Sequence, residues 1–417
     1  MPPADPRERV GASRRDQIVD ITRRLLAAPS PNPPLDTREV AAVAVACLRE
    51  AVPGAEILEL PAPDGVVNVV ARIHGNGPGR RVVFNGHLDT YPVGDAAAWT
   101  VSPTGELRGN RLYGRGAADM KGGIAASMAA LAALAEGADH WPGEAVLTLA
   151  GDEESMGPLG TRRLMDSVPH AVGDWIIIGD VGSPRVLRFG EKGFIWIEIE
   201  AKGRPAHGAH VHLGDNAVDR LRRALDRLDR AFGALVPVHP PEVAEAIARS
   251  RAISEPLAGA GEAETLGRLT INLGTIAGGI SPNLVPASAR AAADIRIPVG
   301  LSLEAVEGAI AEALDLPGVT YTVLRRFAPS FTAPDHPLVI TMARVAEEVL
   351  GEPVAVNMRV GGSDSRWFRM AGLPTVVYGP TPHGMGGPDE YVLVDELDRV
   401  ARVHALTAFD LLRDSAA

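Results

Sequence analysis

Gly114-Arg115-Gly116-Ala117-Ala118-Asp119-Met120-Lys121-Gly122-Gly123 is a glycine-rich turn with a single acid near its centre. It runs directly into Ile124-Ala125-Ala126-Ser127-Met128-Ala129-Ala130-Leu131, an alanine-rich run that predicts a helix. Asp119 at this junction has two readings: a helix cap, or a ligand delivered by a turn. A phosphate loop is excluded, because Lys121 is neither preceded by Gly nor followed by Ser or Thr. The neighbours on both sides decide between the two.

Upstream, Asp16 to Ala28 has helical spacing and stops at a proline-rich run. Asp36 or Thr37 can cap a second helix through Glu50. Residues 1–12 read as a frayed leader. Val66–Ile73 and Arg81–Asn85 read as strands, and the second ends in Gly86-His87-Leu88-Asp89. His87 and Asp89 are two apart, so they share a face, at a strand end, where ligands sit in open α/β sheets. Downstream, the strand Gly143–Ala150 ends in Gly151-Asp152-Glu153-Glu154. Three consecutive acids at the end of a buried strand call for a cation. Trp175-Ile176-Ile177-Ile178 is a continuous apolar run, as in a central strand, and it ends in Gly179-Asp180.

The pattern changes near Gly190. Phe194–Ala201 alternates apolar and polar, as an antiparallel strand with one wet face does. An amphipathic helix from Asn216, strands near 269–276 and 288–297, a helix 303–314 and a strand near 320–324 follow. That order, β-α-β-β-α-β, is ferredoxin-like. Beyond Pro329 the first character resumes, with a helix 335–350, a strand Thr375–Tyr378 ending before His383, and a closing helix 395–412. The expected fold is α/β: a three-layer α/β/α catalytic domain from residues 1–190 and 329–417, with an α+β domain, 191–328, inserted between its halves.

Composition narrows the function classes. A net charge of −11 argues against nucleic acid or an anionic membrane as partner. The one cysteine, Cys47, lies on an apolar helix face and excludes disulfides and thiolate metal sites within one chain. The N-terminus lacks the apolar core of a signal peptide. No apolar run approaches the roughly 18 residues of a membrane span. The expectation is a soluble cytoplasmic protein.

His87, Asp119, Glu154, Asp180 and His383 make a set of imidazoles and carboxylates without sulfur, which suits zinc, cobalt or manganese. Five ligands are too many for one open zinc and enough for two ions sharing a carboxylate. Such a pair clamps a water and polarises a scissile carbonyl. Glu153, beside Glu154 and facing another way, is the candidate general base.

In order along the chain, Gly86-His87-Leu88-Asp89, Gly114–Gly122, Asp152-Glu153-Glu154, Gly179-Asp180, His207-Gly208, Ser281-Pro282-Asn283-Leu284-Val285-Pro286 and His383 resemble the dinuclear zinc family. That family includes aminoacylases, acetylornithine deacetylases, succinyl-diaminopimelate desuccinylases and glutamate carboxypeptidases. The resemblance spans nearly the whole chain beyond the first dozen residues. It implies that Asp119 bridges two zinc ions, that His87 with Asp180 holds one, and that Glu154 with His383 holds the other. It implies that Asp89 orients His87, that Glu153 moves the proton, and that the Asp119–Met120 peptide is cis. The inserted domain resembles the family's lid and dimerisation domain. His207 would then reach across a homodimer to the oxyanion, Asn283 would assist, and Arg296 fits the position that pairs with a substrate carboxylate. His210 and His212 are extra to the pattern, and Arg366 is a weaker substrate candidate. The implied activity is release of an amino acid from an N-acyl amino acid. The alternatives are a dipeptidase or carboxypeptidase and, in another class, a non-catalytic metal-bound binding protein, which would have no need of Glu153.

Overall fold

Continuous apolar strands need cover on both faces, and the computed structural model, which describes residues 5–414, provides it. Glu144–Ala150, Arg81–His87, Trp175–Ile178 and Thr375–Val377 lie side by side and parallel in a nine-stranded mixed sheet. Val82, Val83, Phe84, Ile176 and Ile177 have no exposed surface. Glu56–Pro61 and Val67–His74 extend one side of this block antiparallel. Val186–Glu191, paired with Ala355–Arg359 and Ser330–Phe331, extends the other. The helices Gly122–Glu136 and Val394–Asp414 pack against each other and against Arg81–His87. The expected α/β class and its inserted α+β sheet are both present.

That second sheet is antiparallel throughout. Its order is Thr270–Gly278, Ser288–Ile297, Gly193–Lys202, Val319–Phe327. With helices Ala217–Ala234 and Leu303–Leu314 it has the ferredoxin-like arrangement. One face is buried in a core of its own, including Ile195, Ile197, Ile199, Leu221, Leu228 and Ile310. Residues 241–267 leave this unit and pack on the large core through Val243, Ile247 and Leu266. A buried ion pair, Arg188–Glu262 at 2.9 Å, pins them there, and the Lys192 ammonium donates to the carbonyls of Thr265 and Arg268, both at 2.7 Å.

The leader reading of residues 1–12 is corrected for the residues described. Pro6–Val10 is a short helix capped by Asp5, Val10 is buried, and Arg7 pairs with Glu348 and Asp410. These long-range ion pairs, invisible to local propensity, dock the segment on the helices Pro337–Leu350 and Val394–Asp414; residues 1–4 lie outside the described residues. The helix Arg38–Ala51 starts from Thr37, one of the two proposed caps, but the Thr37 side chain makes no cap bond. The Thr37 hydroxyl bonds to the backbone of Val67, and Asp36 accepts from Arg38 N. Cys47 is buried, and burial pushes its thiol up to about 11.

Candidate metal centre

The turn from Gly114 to Gly123 is shaped by what it must avoid. Gly116 has φ +82°, where a side chain would run into Thr90. A Cβ on Gly123 would collide with the carbonyl of Gly179, so only glycine lets the helix start press onto the strand end that carries Asp180. Between them the Asp119–Met120 peptide is cis. The helix begins at Gly122 without a side-chain cap, so Asp119 is not its cap. Lys121 points away, donating to the carbonyls of Leu25 and Ala28 at 3.0 and 2.8 Å. Its role is to tie the turn to the end of the first long helix.

Asp119 instead meets His87, whose Nε2 lies 3.0 Å from Asp119 Oδ1. His87 Nδ1 lies 2.8 Å from the main-chain carbonyl of Asp89 and 3.6 Å from its carboxylate. The donation to the carbonyl leaves Nε2 facing the cluster. The Asp89 carboxylate, fully buried, accepts the amides of Glu153 and Glu154, both at 3.1 Å, and the Asn32 side chain at 2.8 Å. One acid thus aligns two strand ends. Glu154 completes a cluster with His87 and Asp119, with one ligand atom from each within 4.8 Å of the others.

Asp180 stands against Asp119 and shares an ion pair with Arg359. His383 comes from the loop after Thr375–Val377. A bridge to Tyr391 and ring stacking with it, centroids 4.4 Å apart, hold the imidazole. Among the described residues, Glu154 Oε1 and His383 Nε2 are both buried without a hydrogen-bond partner. Unsatisfied acceptors of this kind fit a cation, as does the donor set. Burial of the two neighbouring glutamates points the same way. Burial first, then the Asp119 charge, pushes Glu154 up to about 10. Burial pushes Glu153 up to about 8 against the pull of His87 and Arg366. Acids so crowded are protonated unless a cation joins them.

Glu153 faces away from Glu154 toward Arg366, whose Nη1 donates to Glu153 Oε1 at 3.2 Å. Asp152 turns back into its own loop and accepts the amides of Leu159 and Gly160. The lid residues lie apart from this cluster. The His207–Gly208 turn pairs with the loop carrying Asn283, through Gly208 N to Asn283 O at 2.7 Å, and His207, His210 and His212 are exposed. Arg296 is spent on Asp294 at 2.8 Å and lies over the Phe194 ring.

Three contributors were missed from sequence. Glu390 pairs with Arg115 and accepts the amides of Ala118 and Asp119, at 2.9 and 3.3 Å. Asn32 reaches Asp89 from the proline-rich loop. Arg359 reaches Asp180 from the end of Ala355–Arg359, a short strand ahead of Gly361-Gly362 that was the available signal.

Comparison with known proteins places this geometry. Residues 83–410 match peptidase family M20/M25/M40. The chain is 31% identical over 353 residues to a succinyl-diaminopimelate desuccinylase of Rhodospirillum centenum, covering 82% of this chain and 84% of that protein. Among solved structures, an M20 family metallo-carboxypeptidase from Sulfolobus solfataricus superposes with a TM-score of 0.77 at 19% identity, over 95% of this chain and all of that one. A dinuclear metal binding peptidase of Bacillus subtilis superposes with a TM-score of 0.62 at 14% identity, over 96% and 99% of the two chains. At those identities the structures speak for the fold alone, whereas the match across residues 83–410 establishes descent. The chain belongs to peptidase family M20/M25/M40 and is a metal-dependent hydrolase of amide bonds.

Proposed function

We propose that the protein releases an amino acid from an N-acyl amino acid of the acetyl or succinyl type, using two zinc ions. The observation that carries this reading is the cluster of His87, Asp119 and Glu154 beside a buried Glu153 that is not spent on it. Asp119 would be shared between the ions, His87 and Asp180 would complete one site, and Glu154 and His383 the other. Bound there, the metals supply Lewis acidity toward the scissile carbonyl and the attacking water; cobalt or manganese fits the same donors.

The residues of the chain do the rest. Glu153 takes a proton from the attacking water and returns it to the departing amine nitrogen. A carboxylate raised by burial suits both halves of that task. Asp89 fixes Glu153 and Glu154 through their amides and His87 through its carbonyl. In a homodimer, His207 of one copy would face the other copy's site and donate to the developing oxyanion, with Asn283 setting its loop and Arg296 near the substrate carboxylate. The dimer reading draws support from the exposed edge strand Thr270–Gly278, where Leu273 and Ile276 are 45% and 65% exposed. Residues 191–328 would be the lid unit and the two flanking parts the catalytic unit. Among the described residues no helix is long and apolar enough to cross a membrane, in keeping with a cytoplasmic setting.

The sequence relatives named as desuccinylases favour a deacylase over the dipeptidase or carboxypeptidase alternative. Amine release from N-succinyl and N-acetyl amino acids and from dipeptides, each with zinc and with chelator, tests the reading. Chelator-sensitive turnover of an N-acyl amino acid is expected. Turnover of dipeptides alone would move the protein to the alternative, and none across the panel would contradict both.

A further inference from the structure

The chain passes between the two units four times, around the docked residues 241–267 and at two crossings that run side by side. On the body side the last rung is Glu191 with Ser330; on the lid side the first is Phe194 with Phe327. A change in lid angle bends the chain between those rungs as well as around residues 241–267. Phe194 and Phe327 contact one another, centroids 5.3 Å apart, and Phe327 meets the edge of Trp367 at 5.1 Å. The guanidinium of Arg366 lies 4.9 Å from the Phe327 ring centre and 5.4 Å from that of Trp367. The same guanidinium donates to Glu153 Oε1 at 3.2 Å and to the Ser363 carbonyl at 2.6 Å. The loop before it follows the same course: a Cβ at Gly362 would be 3.4 Å from the Phe194 ring and 3.7 Å from Met156, in the turn that carries Glu153.

We propose that Arg366 is a positioning residue that sets the orientation of Glu153 according to the angle of the lid. The inference rests on the reading of Glu153 as general base. Arg366 is 1% exposed; among the described residues its Nε and Nη2 have no hydrogen-bond acceptor, and Nη2 lies 3.6 Å from the Asp364 carboxylate. Its placement is therefore governed by the aromatic planes and the carboxylates of Glu153 and Asp364 rather than by a saturated hydrogen-bond set. A planar guanidinium can stack and donate at once, which an ammonium cannot. Phe327 touches no candidate ligand, yet it forms the lid-side wall of this contact. A shift of its ring moves Arg366, and Glu153 with it.

The test uses the metal-loaded enzyme with Phe327→Leu, Phe327→Tyr and Arg366→Lys. Misplacement of a reacting group by about an ångström costs up to a hundredfold. Phe327→Leu and Arg366→Lys are expected to lower kcat by about ten- to a hundredfold with KM within twofold, and Phe327→Tyr to restore it. In metal-free protein, hydrogen–deuterium exchange over residues 152–157 should rise severalfold in the first two variants, with Trp175–Ile178 unchanged. Trp367→Leu, which removes the other aromatic plane, gives an independent second variant. Wild-type kcat and exchange in Phe327→Leu and Trp367→Leu would overturn the coupling. Full activity in Glu153→Gln would instead overturn the base reading on which it stands.

Discussion

The body strand Arg81–His87 is buried almost from end to end, while the lid strand Ser288–Ile297 alternates buried and open positions. This difference governs how function is written in each unit. In the body His87, Asp89 and Asp180 at the strand ends have left water and need a reason to be there, and with Asp119 they converge on one cluster. In the lid polar residues fill the wet face by default. His207 and Asn283 are chemically as capable, yet nothing in their surroundings compels a role.

The sharpest break between the two units is Glu153→Gln. It should lower kcat by about 10²- to 10⁴-fold while metal content, read by elemental analysis, stays at the wild-type level. His207→Ala is expected to cost about 10²- to 10³-fold without lowering Tm, because the side chain is exposed. Mixing Glu153→Gln and His207→Ala homodimers should then restore activity, since the mixed dimer has one site with both groups. No recovery after verified subunit exchange would place His207 outside the partner's site.

Burial also shapes the body's response to acid. His404 is fully buried, with Nε2 2.8 Å from the Tyr378 carbonyl and Nδ1 3.3 Å from Ser127 Oγ. Burial pushes its imidazole down to about 4, with the Tyr378 contact opposing. The unfolded imidazole takes a proton near pH 6.5, the folded one only near 4. Acid therefore favours the unfolded chain across that window, and stability falls as pH drops through it, by about 3 kcal/mol from this group. In His404→Gln the fall in Tm between pH 6.5 and 4 should be shallower than in wild type; an identical fall would show that the group does not contribute. The smallest effect expected is that of Asp89→Asn, which keeps the shape but weakens the amide clamp. Metal affinity by calorimetric titration should drop about 10- to 100-fold, and an unchanged affinity would separate Asp89 from the ligands it aligns.

What could be read from the sequence divides along the same line. The four parallel strands and the residues at their ends were legible, because long apolar runs stop at Gly and then at His, Asp or Glu. The ferredoxin-like order was legible from alternation. Glu390 and Arg359 were not, since each acts through a partner more than a hundred residues away, Arg115 and Asp180. The docking of residues 241–267 on the body was equally hidden. Val243 and Ile247 have the helical spacing of any amphipathic helix, and spacing does not say which core receives it.

The cluster of His87, Asp119 and Glu154 is the core of the proposed two-metal amide hydrolase centre. The most direct test is to strip the protein with chelator and follow amine release from an N-acyl amino acid as zinc is returned. The stripped protein is expected to show no turnover, and returned zinc a rise that levels off at two equivalents per chain and is abolished in Asp119→Ala. Full turnover in the stripped protein, or zinc-restored turnover that survives Asp119→Ala, would contradict the two-metal centre.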